Sequence, residues 1–122
     1  MFKPSNPGDA YRKVAFDACV TGSTGPELVR LCIEDVRAAL DQAIWADANG
    51  RQDIRRNALA RAQSGLGALR LGVDPQSDLA AALLTFYDSM ARAVTASQFR
   101  FEREGIETVR TDIDDVARAI LK

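Results

Sequence analysis

Between residues 25 and 121 the chain carries helix-ending signals at only three places: Asn49-Gly50, the stretch from Gly72 to Pro75, and Gly105. Each stretch between them repeats its apolar residues at intervals of three and four, the period of a helix with one buried side. Strand-like alternation never lasts, and Ala, Leu, Arg, Asp and Glu dominate, most of them good helix formers. Four long helices joined by short loops can bury their stripes only against one another, and short loops make consecutive helices antiparallel neighbours. The expected fold is therefore all-α: an antiparallel up-down four-helix bundle with an additional short N-terminal helix.

The spacing predicts helices over residues 25–48, 51–71, from the 74–79 region to about 103, and 105–121. Asn49-Gly50 reads as a left-handed helix stop. Asp74-Pro75 reads as a cap with a first-turn proline, with Ser77 as a rival cap. Thr24 and Glu27 have the spacing of a capping box after the 21–26 loop. Residues 1–8, with Pro4, Pro7 and Gly8, are expected to be mobile, and residues 9–20, with Tyr11, Val14, Ala15 and Ala18 on one side, to pack on the outside of the bundle. At 122 residues this is one domain, long enough to bury a core without staples.

Composition narrows the function classes. The charges nearly balance, 16 basic against 17 acidic, so there is no basic field for nucleic acid. No apolar run approaches the ~18 residues of a membrane span, and MFKPSNPGDAYRK lacks the apolar core of a secretory signal, so no membrane insertion is expected. There is no histidine, which removes the commonest general base and zinc ligand. Cys19 and Cys32 lack a CxxC spacing and read as free thiols. Glu34, Asp35 and Asp41 fall on exposed faces and read as solvating charges. No phosphate loop, metal spacing or nucleophile elbow occurs. The expectation is no catalytic residue, no metal and no cofactor: a non-enzyme.

Helical wheels separate core from surplus. Ile106, Val109, Ile113, Val116 and Ile120 form a heptad-like seam in the last helix. The 51–71 helix is expected to bury Ile54, Ala58, Ala62, Leu66 and Leu69, with Val73 beyond it, and the next helix Leu79, Leu83, Phe86, Met90, Val94 and Phe101. Arg55 falls on an apolar side and reads as a snorkelling side chain. The 25–48 helix has one wide face, Leu28 through Ile44, and a second strip, Leu31, Ala38 and Trp45, at seven-residue spacing. The next-to-last helix has a second strip too, Ala82, Ser89 and Ala96, whose small side chains let another backbone come close. Apolar strips left over after a core is filled mark interaction surfaces, unless the chain's own N-terminal piece or a neighbouring helix covers them. Tyr87 lies at the edge of the stripe, between core and contact roles.

The stretch 79–101, LAAALLTFYDSMARAVTASQFRF, resembles the fourth helix of the FliS family of flagellar export chaperones. LLTFYDSM at 83–90 looks like that family's Leu-x-x-Leu-Tyr-Asp-Tyr-Met stretch, TGSTGPEL at 21–28 like its Thr-Ala-Ser-Pro-x-x-Leu helix start, and Ala10-Tyr11 like its N-terminal Ala-Tyr. The resemblance runs from about residue 10 to 121. It departs where Ile33-Glu34 replaces a Tyr-Asp pair and where Ala82 and Ser97 replace asparagines. The resemblance implies a helical bundle of the bacterial cytosol that binds the disordered C-terminal region of flagellin, prevents premature polymerisation and assists its delivery to the export gate of the flagellar apparatus. Such coupled folding and binding needs a large apolar surface and no catalyst. Added to the two strips, the motif positions Tyr11, Ile33 and Tyr87 complete the expected partner-binding set. The rival expectation is an adaptor bundle that uses the same surfaces for another disordered protein, such as an anti-sigma factor.

Overall fold

The computed structural model describes residues 25–121. They form four helices and no strand: α1 (Gly25–Ala48), α2 (Gln52–Leu71), α3 (Ala80–Phe99) and α4 (Arg103–Ile120). Backbone contacts run α1–α2, α2–α3, α3–α4 and α4–α1, and the two diagonal pairs make none. With connections this short, that closed ring is an antiparallel up-down four-helix bundle. The N-terminal helix expected at residues 9–20, its packing on the bundle and the Thr24 cap lie outside the described residues.

The core is built from the stripes. Val36 and Leu40 of α1, Leu59 and Leu66 of α2, Met90 and Val94 of α3, and Ile106 and Ile113 of α4 are fully buried. The last helix follows its heptad-like reading, with Ile120 half-buried at the end. The α1–α2 pair has the most extensive backbone contact. Small buried residues explain it: Ala39, Ala43 and Ala46 on α1 and Ala58, Ala62 and Gly65 on α2. At Gly65 a Cβ would overlap Val36 Cγ2, so only glycine permits this approach.

The α1–α2 turn forms as its dipeptide dictates. Gly50 has φ +67°, the Arg51 N–H donates to the Ala46 carbonyl at 2.8 Å, and the Gly50 N–H donates to the Asp47 carbonyl at 3.3 Å. That double closure needs a residue without a Cβ penalty in the left-handed region. Before α3, Asp74 does not cap the helix. Its carboxylate accepts the Gln76 N–H at 2.9 Å, and the Ser77 hydroxyl accepts the Leu79 N–H at 3.1 Å, giving two successive side-chain turns.

Two expectations are corrected. α3 ends at Phe99, not near Arg103, and Gly105 lies inside the first turn of α4 rather than at a bend. Arg100 and Glu102 are extended, which swings Phe101 against the core, and the Ser97 hydroxyl accepts the Glu102 N–H at 3.4 Å. Arg55, donating to Asp47 at 2.7 Å, covers the Phe101 ring at 5.4 Å, so its place on the apolar side serves a cation–π contact. The second correction is the rotation of α3. Its buried line is Ala80, Tyr87, Met90, Val94 and Ser97, while Leu79 and Phe86, expected inside, are on the surface. One residue of offset is about 100° of rotation, enough to exchange Phe86 for Tyr87.

Candidate partner-binding surfaces

The polar groups of the bundle hold helices together. Arg61 of α2 pairs with Asp35 of α1 at 2.7 Å, Arg70 of α2 with Asp88 of α3 at 2.8 Å, and Arg110 of α4 with Asp41 of α1 at 2.9 Å. Arg110 also reaches Asp114 at 2.6 Å, and Asp114 receives Arg37 of α1 at 2.9 Å. Asp35 and Asp41 are thus cross-helix partners rather than free solvating charges. Arg70 holds the Asp88 carboxyl below the usual carboxylate range, chiefly through its hydrogen bonds. No group of three acidic, cysteine or histidine side chains able to hold a metal occurs among the described residues.

Across the α3–α4 boundary there is no ion pair among the described residues. In its place lies an apolar recess of about 140 Å³, walled by Leu79 just before α3, by Ala82, Leu83 and Phe86 of α3 and by Asp115, Val116 and Ala119 of α4. Phe86 keeps 39% of its surface exposed. Beside Asp115 on α4, burial and then the Asp115 charge push the Asp112 carboxyl above its usual value. Leu79, Phe86 and the α4 wall were not among the expected contact residues. The wheel assigned the first two to the core; the one hint was that the apolar arc of residues 79–101 is wider than a single seam needs.

The expected contact residues divide by burial. On α1, Leu31 and Trp45 are 59% and 51% exposed and Ala38 lies exposed between them, so the seven-residue strip faces outward. On α3, Ala82, Ser89 and Ala96 are exposed along the outer crest, with Ala82 at the edge of the recess. Ile33 and Tyr87 are different: both are buried in the common core. Their side chains are not surface contacts in this arrangement, and Tyr87, 2% exposed, is a core residue. Burial pushes its hydroxyl up to about 12, and the nearby Cys32 adds to the shift. Tyr11 lies outside the described residues.

The α1 strip and the α3 wall of the recess belong to diagonal helices of the ring, which make no backbone contact with each other. A chain that engages both must run around the bundle, folding locally where it meets apolar surface.

Against known proteins, a family model described as flagellar protein FliS matches residues 7–119. No curated protein and no solved structure matches the chain.

Proposed function

The chain belongs to the FliS family of flagellar proteins, a family of flagellar export chaperones, and from that membership we propose that it binds the disordered C-terminal region of flagellin in the bacterial cytosol. In this reading the flagellin segment wraps the bundle and forms short helices on the α1 strip and over the α3–α4 recess. Holding the segment there keeps flagellin from polymerising early, and the complex is handed to the export gate of the flagellar apparatus.

The observation that carries the reading is apolar surface left at two separate places, the α1 strip and the α3–α4 recess, on a bundle whose core is already filled. Each large side chain there contributes on the order of 1 kcal/mol when its remaining exposed face is covered. A disordered partner loses conformational entropy on ordering, so it needs several such anchors spread over a long path. No step makes or breaks a covalent bond, and the cross-helix pairs of Arg61, Arg70 and Arg110 with Asp35, Asp88 and Asp41 hold helices together.

Isothermal calorimetry with a peptide of the cognate flagellin C-terminal region tests the proposal. Exothermic binding at micromolar concentration is expected, weakened by Trp45→Ala with the far-UV helix signal unchanged. Absence of heat with the cognate peptide, together with no change in electrophoretic mobility, overturns it.

A further inference from the structure

The chain has three asparagines, each before a different residue: Asn6 before Pro7, Asn49 before Gly50 and Asn57 before Ala58. An asparagine is chemically labile when the backbone nitrogen that follows it can reach its side-chain carbonyl carbon. Proline has no N–H to give up, so its nitrogen cannot take this role. Ala58 is buried in the interior of α2, where the backbone is fixed. Gly50 differs from both. It has no Cβ to shield its nitrogen, lies at φ +67°, and is exposed together with Asn49. Among the backbone bonds that Asn49, Gly50 and Arg51 donate at this turn, the one from the Gly50 N–H, to the Asp47 carbonyl at 3.3 Å, is the longest. A bond that long holds its nitrogen weakly.

The Asn49 side chain also has a structural task. Its Nδ2 donates to the Trp45 carbonyl at 2.8 Å, satisfying one of the last carbonyls of α1. The last turn of α1 carries Asp47 and no basic residue, so a further negative charge there opposes the helix dipole. We propose that Asn49 is a site of spontaneous deamidation, and that its conversion releases the last turn of α1, which carries Trp45. The reaction needs only water. The Gly50 nitrogen gives up its proton and bonds to Asn49 Cγ. The Cγ–Nδ2 bond breaks, and ammonia leaves with that proton, so a cyclic succinimide forms. Water then adds to one of the two imide carbonyls and opens the ring. Breaking the bond to Cγ gives aspartate. Breaking the bond to the backbone carbonyl carbon gives isoaspartate, whose main chain runs through Cγ.

Both products put an anionic oxygen where Nδ2 stood, and a carboxylate cannot donate to the Trp45 carbonyl. Isoaspartate also lengthens the main chain before Gly50, so the Arg51 N–H no longer meets the Ala46 carbonyl in the same register. Trp45 is the chain's one tryptophan and is half exposed, so its emission reports on this turn. The site does not depend on the flagellin reading: it ages the protein whatever the α1 strip binds.

The test ages the purified full chain at physiological temperature over a series of mildly alkaline pH values and maps the products by mass spectrometry after digestion. Trypsin cuts after Arg37, Arg51 and Arg56, so Asn49 and Asn57 fall in separate peptides. Asn49 is expected to exchange its amide for a carboxyl, faster at higher pH because the Gly50 nitrogen reacts deprotonated, and an isoaspartyl methyltransferase is expected to label the product. Asn57 in the same digest is expected to stay unchanged. So is position 49 in Asn49→Gln, whose longer side chain has to close a larger ring. Separated from the intact form by ion exchange, the converted protein is expected to show red-shifted Trp45 emission. It is also expected to lose amide-exchange protection over residues 45–51 while the rest of the bundle stays protected. Asn49→Asp, which supplies the aspartate product directly, is expected to lose part of that protection. An Asn49 that stays intact while a urea-unfolded sample converts overturns the proposal, because the turn then holds the amide against attack. Conversion of Asn57 at the same rate overturns the assignment to this turn. Unchanged emission and exchange in the converted protein overturn the release of α1.

Discussion

The α1–α2 pair and the α3–α4 pair have the same topology, two antiparallel helices joined by a short connection, yet they are built in opposite ways. Between α1 and α2 small residues draw the backbones together, Gly65 lies against Val36, and Arg61 and Arg55 tie the pair to Asp35 and Asp47. Between α3 and α4 the large side chains Leu79 and Phe86 reach the surface, no ion pair crosses among the described residues, and an apolar recess stays open. Close packing is favourable because each atom gains dispersion contacts that a gap forfeits. A seam that leaves part of its apolar surface in water contributes less to folding and keeps that free energy for a partner. One pair stabilises the bundle, and the other gives it something to bind with.

The sharpest way to break this contrast is at the two glycines of α2. A Cβ at position 65 overlaps a methyl of fully buried Val36, whereas a Cβ at position 67 meets nothing within 4 Å. Gly65→Val is expected to cost about 3 kcal/mol or more, because a packed seam cannot absorb the added volume without backbone movement. Gly67→Ala is expected to stabilise by about 0.5–1 kcal/mol through helix propensity alone. Urea unfolding followed at the helix band measures both. If the two substitutions shift stability in the same direction, the α1–α2 seam is not closely packed at Gly65.

The complementary change targets the open pair. Ala82→Arg places a cation in the recess that Asp115 also lines, supplying across α3–α4 the kind of contact that the other three boundaries have. Fold stability is expected to stay within about 0.5 kcal/mol, since an exposed pair contributes little. Affinity for the flagellin peptide is expected to fall about tenfold or more, because a charged side chain would occupy the space of a desolvated anchor. Calorimetry and urea unfolding on one preparation read both. Loss of stability equal to the loss of affinity would make the recess part of the fold rather than a binding surface.

How far each pair is legible from sequence follows from the range of the interactions that decide it. The Asn49-Gly50 turn is readable because its chemistry is local: one residue needs positive φ and glycine supplies it. The α4 seam is readable because Ile106, Val109, Ile113 and Val116 stand among mostly polar and charged neighbours. The outward strip of α1 is readable because Leu31, Ala38 and Trp45 fall at seven-residue spacing on the side away from its wide buried face. The end of α3 is not, since nothing at residues 100–102 breaks a helix; the break is set by the burial of Phe101 and by Arg55, far away in the chain. The rotation of α3 fails for a related reason. Leu79, Leu83, Phe86, Tyr87 and Met90 make a wide apolar arc, and only the width of the neighbouring helices decides which part of it faces inward. The contacts of the recess were misread with it, because a residue assigned to the core is removed from the surface.

Tyr87 offers a check on that rotation which Phe86 cannot give. Its hydroxyl is raised from the ordinary tyrosine value to about 12, chiefly by burial. Unfolding returns it to its ordinary value of 10.0, so the unfolded chain loses this proton first. The stabilising contribution is complete below the unfolded value and is lost as pH rises towards the folded one. Between those two values the protein is expected to lose stability more steeply than Tyr87→Phe, measured as the difference between their urea midpoints. Parallel curves would mean that Tyr87 is hydrated and Phe86 faces the core instead.

The smallest expected effects grade the ion pairs that the α3–α4 boundary lacks. Arg110 bridges Asp41 and Asp114 with only 27% of its side chain exposed, whereas the Arg70 side chain is 53% exposed at its single partner, Asp88. Water competes less well for the half-buried bridge, and its two carboxylates share the entropy cost of fixing one guanidinium. Arg110→Met is therefore expected to cost about 1 kcal/mol, and Arg70→Met clearly less. At high salt the screening length falls to about 3 Å, so the Arg70 effect should vanish while part of the Arg110 effect persists. Urea midpoints of both variants at low and high salt give the ordering. If Arg70→Met costs as much as Arg110→Met, the pairs do not follow burial. Their absence between α3 and α4 would then cost the fold as much as any of them contributes, and the open recess would be a real sacrifice of stability rather than a boundary left unlatched at almost no cost.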